Sequence, residues 1–224
     1  MLPRNSIRKV YEYYFTSPRF SEEVKRAFMK FFNTNSIDNQ DKVGMVKQSE
    51  GLFNEWFLYD FILNNGHTPI EDFVACNPFK LENSLMDLYK DLLDSKYAIL
   101  EVLAIDLGKS IKVKDLQTDK ELVLFEYNAT FGLKVGSVFF GRVGKVGDHY
   151  ELVGADTVSL ADMAQADKNI LRKKRLEFTP KILNDILVGK KKFLVSALLN
   201  QSKSDFIQLL LCMEHNLAKS AKIE

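Results

Sequence analysis

Cysteine is nearly absent from this 224-residue chain: Cys76 and Cys212 are the only two, far apart in sequence. Two distant thiols cannot build a disulfide framework or a four-cysteine zinc site. Both are expected to be reduced and packed as small apolar side chains in a reducing compartment. A surplus of one charge is missing too. The 31 Lys and Arg against 30 Asp and Glu leave a formal +1, which excludes a global attraction to nucleic acid or anionic lipid and leaves only local patches. No run approaches the roughly 18 apolar residues of a membrane span; the densest cluster, 206–213, is interrupted by Gln208 and reads as a buried helix. The opening Met1-Leu2-Pro3-Arg4-Asn5 has no apolar stretch of signal-peptide type. The expected address is the cytoplasm, with no membrane partner.

Chemical motifs are equally scarce. There is no Gly-x-Ser-x-Gly and no phosphate loop. The glycines between Gly141 and Gly147 lie between expected strands and predict a hairpin. His67, His149 and His215 fall on three separate elements without a short-range ligand partner. The acidic pairs Glu22-Glu23 and Glu71-Asp72 open helices, where the helix dipole accounts for them. The reading assigns no catalytic residue, no metal ligand and no cofactor.

What the chain does have is core material, with 17 Phe among 46% hydrophobic residues, in two periodicities. Residues 1–96 repeat at the helical period. Ile7, Val10, Tyr11 and Tyr14 share one face, and Val24, Ala27, Phe28, Phe31 and Phe32 another. The polar stretch 33–49 predicts a loop or linker. Residues 50–63 are apolar nearly all round, so as a helix they must be buried. Thr68-Pro69-Ile70-Glu71 spells a capping box with proline at the first helical position, and 81–93 is a further amphipathic helix.

At Tyr97 the period changes to two. Five short strands, separated by turns at 106–109, 118–120 and 147–148 and by a longer connection before Val135, predict a meander over 97–156. So few residues bury a core only by curling up or by packing on a helix. The expected fold is α+β: a small five-stranded antiparallel β-barrel of SH3-like or OB-like size, with a helical region 1–96 before it and a helical region 157–224 after it. Tyr127 and Tyr150 are the main candidates for exposed barrel aromatics, with Phe125, Phe139 and Phe140 assigned to the core. Helices are expected from Ser159 to the end.

Several segments between Asn54 and Ala155 resemble a family of uncharacterised bacterial proteins, many of which carry a C-terminal zinc-binding SEC-C motif. The resembling stretches are Glu55-Trp56-Phe57-Leu58-Tyr59-Asp60, Gly66-His67-Thr68-Pro69-Ile70-Glu71, Tyr97 with Glu101-Val102-Leu103, Val113-Lys114-Asp115-Leu116-Gln117-Thr118, and Val135-Gly136-Ser137 with Gly141-Arg142-Val143. The resemblance implies no activity. Residues 217–224 contain no cysteine cluster, so it implies no zinc here either.

The one electrostatic asymmetry lies in the last third. Lys168, Arg172, Lys173, Lys174 and Arg175 form one basic run, and Lys190, Lys191 and Lys192 a second. Clustered Lys and Arg neutralise phosphates and release counterions. The leading expectation is a non-enzymatic module that binds RNA, DNA or a ribonucleoprotein through Arg172, Lys173, Lys174, Arg175 and Lys190–Lys192. The alternative is an adaptor that docks a protein partner or a second copy through its C-terminal helices, and an enzyme of unknown type stands third.

Overall fold

The computed structural model describes residues 6–35, 43–154, 158, 159, 168, 169, 172, 178–180 and 183. Five helices precede the sheet: α1 (Ser6–Thr16), α2 (Ser21–Phe32), α3 (Val43–Asp60), α4 (Pro69–Cys76) and α5 (Asn83–Asp91). α1 and α2 bury the stripes their periodicity predicts, Val10 and Tyr14 on one and Ala27 and Phe31 on the other. α3 places Leu52, Phe53, Trp56, Phe57 and Leu58 in the same core, as a helix apolar all round must. It begins at Val43, so 43–49, expected as loop, is helical backbone. Val43, Met45 and Val46 are too few, beside Gly44, Lys47, Gln48 and Ser49, to set a helical period that reveals it. The helix ends at Asp60, three residues before the expected boundary.

The Thr68 capping box forms as spelled: Glu71 N donates to Thr68 Oγ1 and Thr68 N donates to Glu71 Oε2. Tyr14 then ties α1 to α4, its hydroxyl donating to Asp72 Oδ2 at 2.7 Å and Pro69 O at 2.8 Å.

The sheet comprises β1 (Lys96–Asp106), β2 (Ser110–Asp115), β3 (Glu121–Phe125), β4 (Val138–Val146), β5 (His149–Leu152) and β6 (Val158–Ser159), with a short helix α6 (Ala129–Gly132) between β3 and β4. The strand order is β1-β2-β3-β5-β4-β6, and β1 also pairs with β4, so β1 to β5 close into a barrel. The long β1 makes closure possible. Its first half pairs with β4 and its second half with β2, with a register shift between Val102 and Ala104 that bends it.

Two expectations are corrected here. The strands are not a meander, and they are not all antiparallel, because β3 and β5 run parallel. The cause is the 126–137 connection: it carries the chain from β3 across to β1, where β4 adds antiparallel. The tight β4–β5 hairpin then returns β5 alongside β3 in the same direction. A further correction is Ser159, expected to open a helix, which extends the sheet as β6 against Phe139 and Phe140.

Barrel strands alternate between two cores. Ala98, Leu100, Val102, Ile111, Val113, Leu124, Phe139 and Val143 fill the interior. Tyr97, Ile99, Val138 and Phe140 point the other way and join the core of the helices. The outer face of β1 and β4 is therefore covered, and that of β2 and β3 is open. No helix among the described residues is long and apolar enough to cross a membrane.

Candidate nucleic-acid interface

Alternation along the third strand decides what the open face presents. In β3, Leu124 is fully buried while Val123 and Phe125 stand out, Phe125 at 48% exposure. Phe125 is thus a surface aromatic and not core, whereas Phe139 and Phe140 are buried as expected. Its ring lies 4.9 Å from the His149 imidazole on β5. Tyr150, the next residue, is exposed and pairs across the hairpin with the exposed Lys145.

Just past β3, Tyr127 and Phe131 meet edge to face at 5.3 Å and are 61% and 59% exposed. The β1–β2 turn abuts this pair. Gly108 takes φ +73, and its backbone passes so close that a Cβ there would touch Tyr127 at 3.5 Å. Gly108 N donates to Thr130 Oγ1, which donates to Tyr127 O, so the ring pair rests on a fixed turn. Phe125 thus lies on the open face with Tyr127 and Phe131 just beyond the end of its strand, whereas Tyr150, the other expected aromatic, pairs with the inward-facing Leu124 and stands on the opposite side of the sheet from Phe125.

The charges on this face are matched rather than positive. Lys112 pairs with Glu121 at 2.7 Å, Lys114 with Asp119 at 3.0 Å and Lys109 with Asp106 at 3.5 Å. His149 sits between two acids, Nδ1 3.0 Å from Asp148 and Nε2 2.6 Å from Glu151. Its pKa is raised above the ordinary 6.5, because the hydrogen bonds to Asp148 and then Glu151 favour the imidazolium more than burial opposes it. When protonated, both ring nitrogens donate.

The sign for stability follows from the folded pKa lying above the unfolded one. The contribution is complete below about 6.5 and is lost as pH rises through the folded value. Urea midpoints of the wild type are expected to fall between pH 6 and pH 8 by more than those of His149→Asn; equal slopes would remove His149 as the cause.

The predicted basic residues divide. Arg172 is described and lies against the barrel, its Nη2 donating to Glu101 Oε2 at 3.3 Å and its Nε 3.6 Å from Asp119 Oδ1. Lys173, Lys174, Arg175, Lys190, Lys191 and Lys192 lie outside the described residues, as do Cys212, His215 and the 206–213 cluster. Residues 157–224 carry 12 Lys and Arg against 7 Asp and Glu, and residues 1–156 carry 19 against 23. The net positive charge of the chain therefore lies in the last third alone. The acids that receive Arg172 were missed in the sequence, because Glu101 is 71 positions away and nothing local marks it.

One buried charged cluster competes for attention. Arg142 of β4 is 1% exposed. Its Nε donates to Glu55 Oε1 of α3 at 3.1 Å, its Nη1 to Ser95 O at 3.1 Å and its Nη2 to Asp60 Oδ2. The guanidinium lies over the Tyr97 ring at 3.9 Å and the Tyr59 ring at 4.6 Å. Burial raises the pKa of both phenols. Burial also opposes the Arg142 charge, yet Tyr97, Asp60 and Glu55 together raise its pKa. A permanently charged arginine that is 1% exposed and donates from all three nitrogens has no proton to exchange and no open edge for a ligand, so this cluster is a clamp between α3 and the barrel.

Cys76, expected to be buried, is exposed at the end of α4. Among the described residues no group of three or more His, Cys, Asp or Glu stands together as a metal would require. Comparison of the chain with protein-family models, with curated proteins and with solved structures finds no match in any of the three.

Proposed function

We propose that the protein is a non-enzymatic module that binds nucleic acid, with phosphates held by the basic last third and bases stacked on the open barrel face. The observation that carries this reading is the position of Arg172. The first residue of the run 172–175 is anchored on the barrel beside Asp119, in the turn between β2 and β3. Lys173 follows within one Cα step of about 3.8 Å, so the run starts at the rim of the open face. The strand order and the parallel β3–β5 pair are those of an OB-type barrel, a fold whose β2–β3 face binds oligonucleotides in many proteins. That is analogy of fold; the residues of this face supply the specific argument.

Exposed Phe125, Tyr127 and Phe131 offer ring faces to unstacked bases, which a duplex keeps inside. The preferred ligand is therefore a single strand.

Fluorescence anisotropy with labelled single- and double-stranded RNA and DNA over a salt series tests this. The expected result is binding that weakens steeply with salt and favours single strands. Phe125→Ala is expected to weaken single-strand binding about tenfold, within the roughly 1–3 kcal/mol of one stacked base, and to leave duplex binding unchanged. No affinity for any of the four at about 50 mM salt would refute the proposal and move the assignment to a protein partner. That alternative has its own observation in Leu107 and Val135, apolar side chains 62% and 65% exposed.

A further inference from the structure

Lys168 and Arg172 stand one helical turn apart and reach the same carboxylate. Lys168 is buried, and its Nζ donates to Glu101 Oε1 at 2.6 Å and to Gly136 O at 2.9 Å. Two good acceptors hold it as a fixed anchor. Arg172 is held less well. Its Nη1 donates to Asn169 Oδ1 at 2.9 Å, but the other edge of the guanidinium is divided between two acids. Nη2 reaches Glu101 Oε2 at 3.3 Å. Nε makes no hydrogen bond within the described residues, with Asp119 Oδ1 standing 3.6 Å away.

Nε and Nη2 form the edge with which an arginine grips the two oxygens of one carboxylate or phosphate. Here one such fork is split over two carboxylates, neither at good distance, and one donor goes unsatisfied. Asp119 is also the more easily removed of the pair. Its side chain is 63% exposed, and it has a second partner in Lys114 Nζ at 3.0 Å. Glu101, 14% exposed and tied to Lys168, stays in place.

We propose that Arg172 is a phosphodiester-binding residue held in waiting by Asp119, and that an incoming phosphate takes the Nε side of the guanidinium, shares Nη2 with Glu101, and releases Asp119 to Lys114 and solvent. The proposal rests on the nucleic-acid reading above and adds to it a built-in competitor. The barrel supplies a stand-in anion that sets a threshold, so weak or isolated anions do not displace it and a polyanion engaging the whole run does. The exchange forms and breaks only ionic hydrogen bonds.

The test uses the full chain and a fluorescein-labelled oligodeoxythymidylate about thirty nucleotides long. Asp119→Asn is expected to tighten binding about three- to tenfold at about 50 mM salt and to steepen the salt slope by about 0.7, one additional phosphate contact on a single strand. Asp106→Asn removes the same charge from a pair with Lys109 at the β1–β2 turn and is expected to change affinity less than twofold. Adding Arg172→Gln to Asp119→Asn is expected to abolish the gain, which a general change of charge would not do. Glu101→Gln strips a buried lysine of its partner, so its binding is read together with its urea midpoint.

Wild-type binding that Asp119→Asn leaves unaltered, or that Asp106→Asn tightens equally, overturns the exchange and leaves the nucleic-acid reading standing. No binding by the wild type or by any variant overturns both.

Discussion

Arg142→Met is expected to cost about 3–5 kcal/mol of folding stability, the usual result of removing one partner from a buried ion pair. The loss does not come mainly from the bond to Glu55. Glu55 itself is 1% exposed, and its carboxylate would lose the guanidinium that faces it in the joint. Gly154 makes the enclosure tight, since a Cβ there would come within 2.5 Å of Glu55 Oε2. The Tyr59 and Tyr97 rings would also lose the guanidinium lying over them.

For a chain of this length the loss corresponds to a Tm roughly 10 °C lower, measured with urea midpoints alongside. The deficit should shrink in acid. Burial without a cation raises the pKa of Glu55, so the folded variant binds a proton that the unfolded chain releases, and its stability falls as pH rises through that window. Glu55→Gln in the Arg142→Met background is expected to recover most of the loss, because it removes the buried charge and keeps the volume. A loss under about 1 kcal/mol for the single variant would mean that water enters the joint and satisfies Glu55.

Much of this clamp was legible as an anomaly. Arg142 interrupts Val138-Phe139-Phe140-Gly141 and Val143, and Glu55 interrupts Leu52-Phe53 and Trp56-Phe57-Leu58. Each is a charge inside a segment too apolar to face water, and two such charges of opposite sign imply one another. What the sequence cannot supply is the pairing, because 87 positions separate them.

The same division runs through the rest of the fold. Local chemistry was readable. The Thr68–Glu71 box, the stripes of α1 and α2, and the hairpin between β4 and β5 each depend on residues a few positions apart. Non-local closure was not. The parallel β3–β5 pair arises from where the 126–137 connection lands, and no period in β3 or β5 records it. Phe125 was misplaced for a related reason. Glu121-Leu122-Val123-Leu124-Phe125 is apolar at four consecutive positions, so composition does not show which side faces the interior, and only the register with β2 turns Leu124 in.

The largest functional effect expected is the loss of polyanion binding when Arg172, Lys173, Lys174, Arg175, Lys190, Lys191 and Lys192 are all replaced by Gln. Each phosphate contact on a single strand contributes about 0.7 to the slope of log affinity against log salt. If most of these seven charges make contact, the slope falls by roughly 4 and affinity near 0.1 M salt by roughly a thousandfold. The remainder of the molecule cannot compensate. Residues 1–156 hold 23 acids against 19 bases, and the lysines of β2 are already paired with Glu121 and Asp119. Stacking on Phe125 or Tyr127 does not act at a distance and cannot recruit a strand through that net repulsion.

The measurement is anisotropy of a labelled single strand at five or more salt concentrations, with the urea midpoint as a check that the variant folds. A folded variant that keeps the wild-type slope would show that the basic runs are a solvated surface. A variant that loses slope but keeps the single-strand preference in its residual binding would assign affinity to the last third and selectivity to the barrel. That division follows the placement of the two features, since Arg172 lies at the β2–β3 turn and the exposed rings lie at the far end of β3 beside the β1–β2 turn.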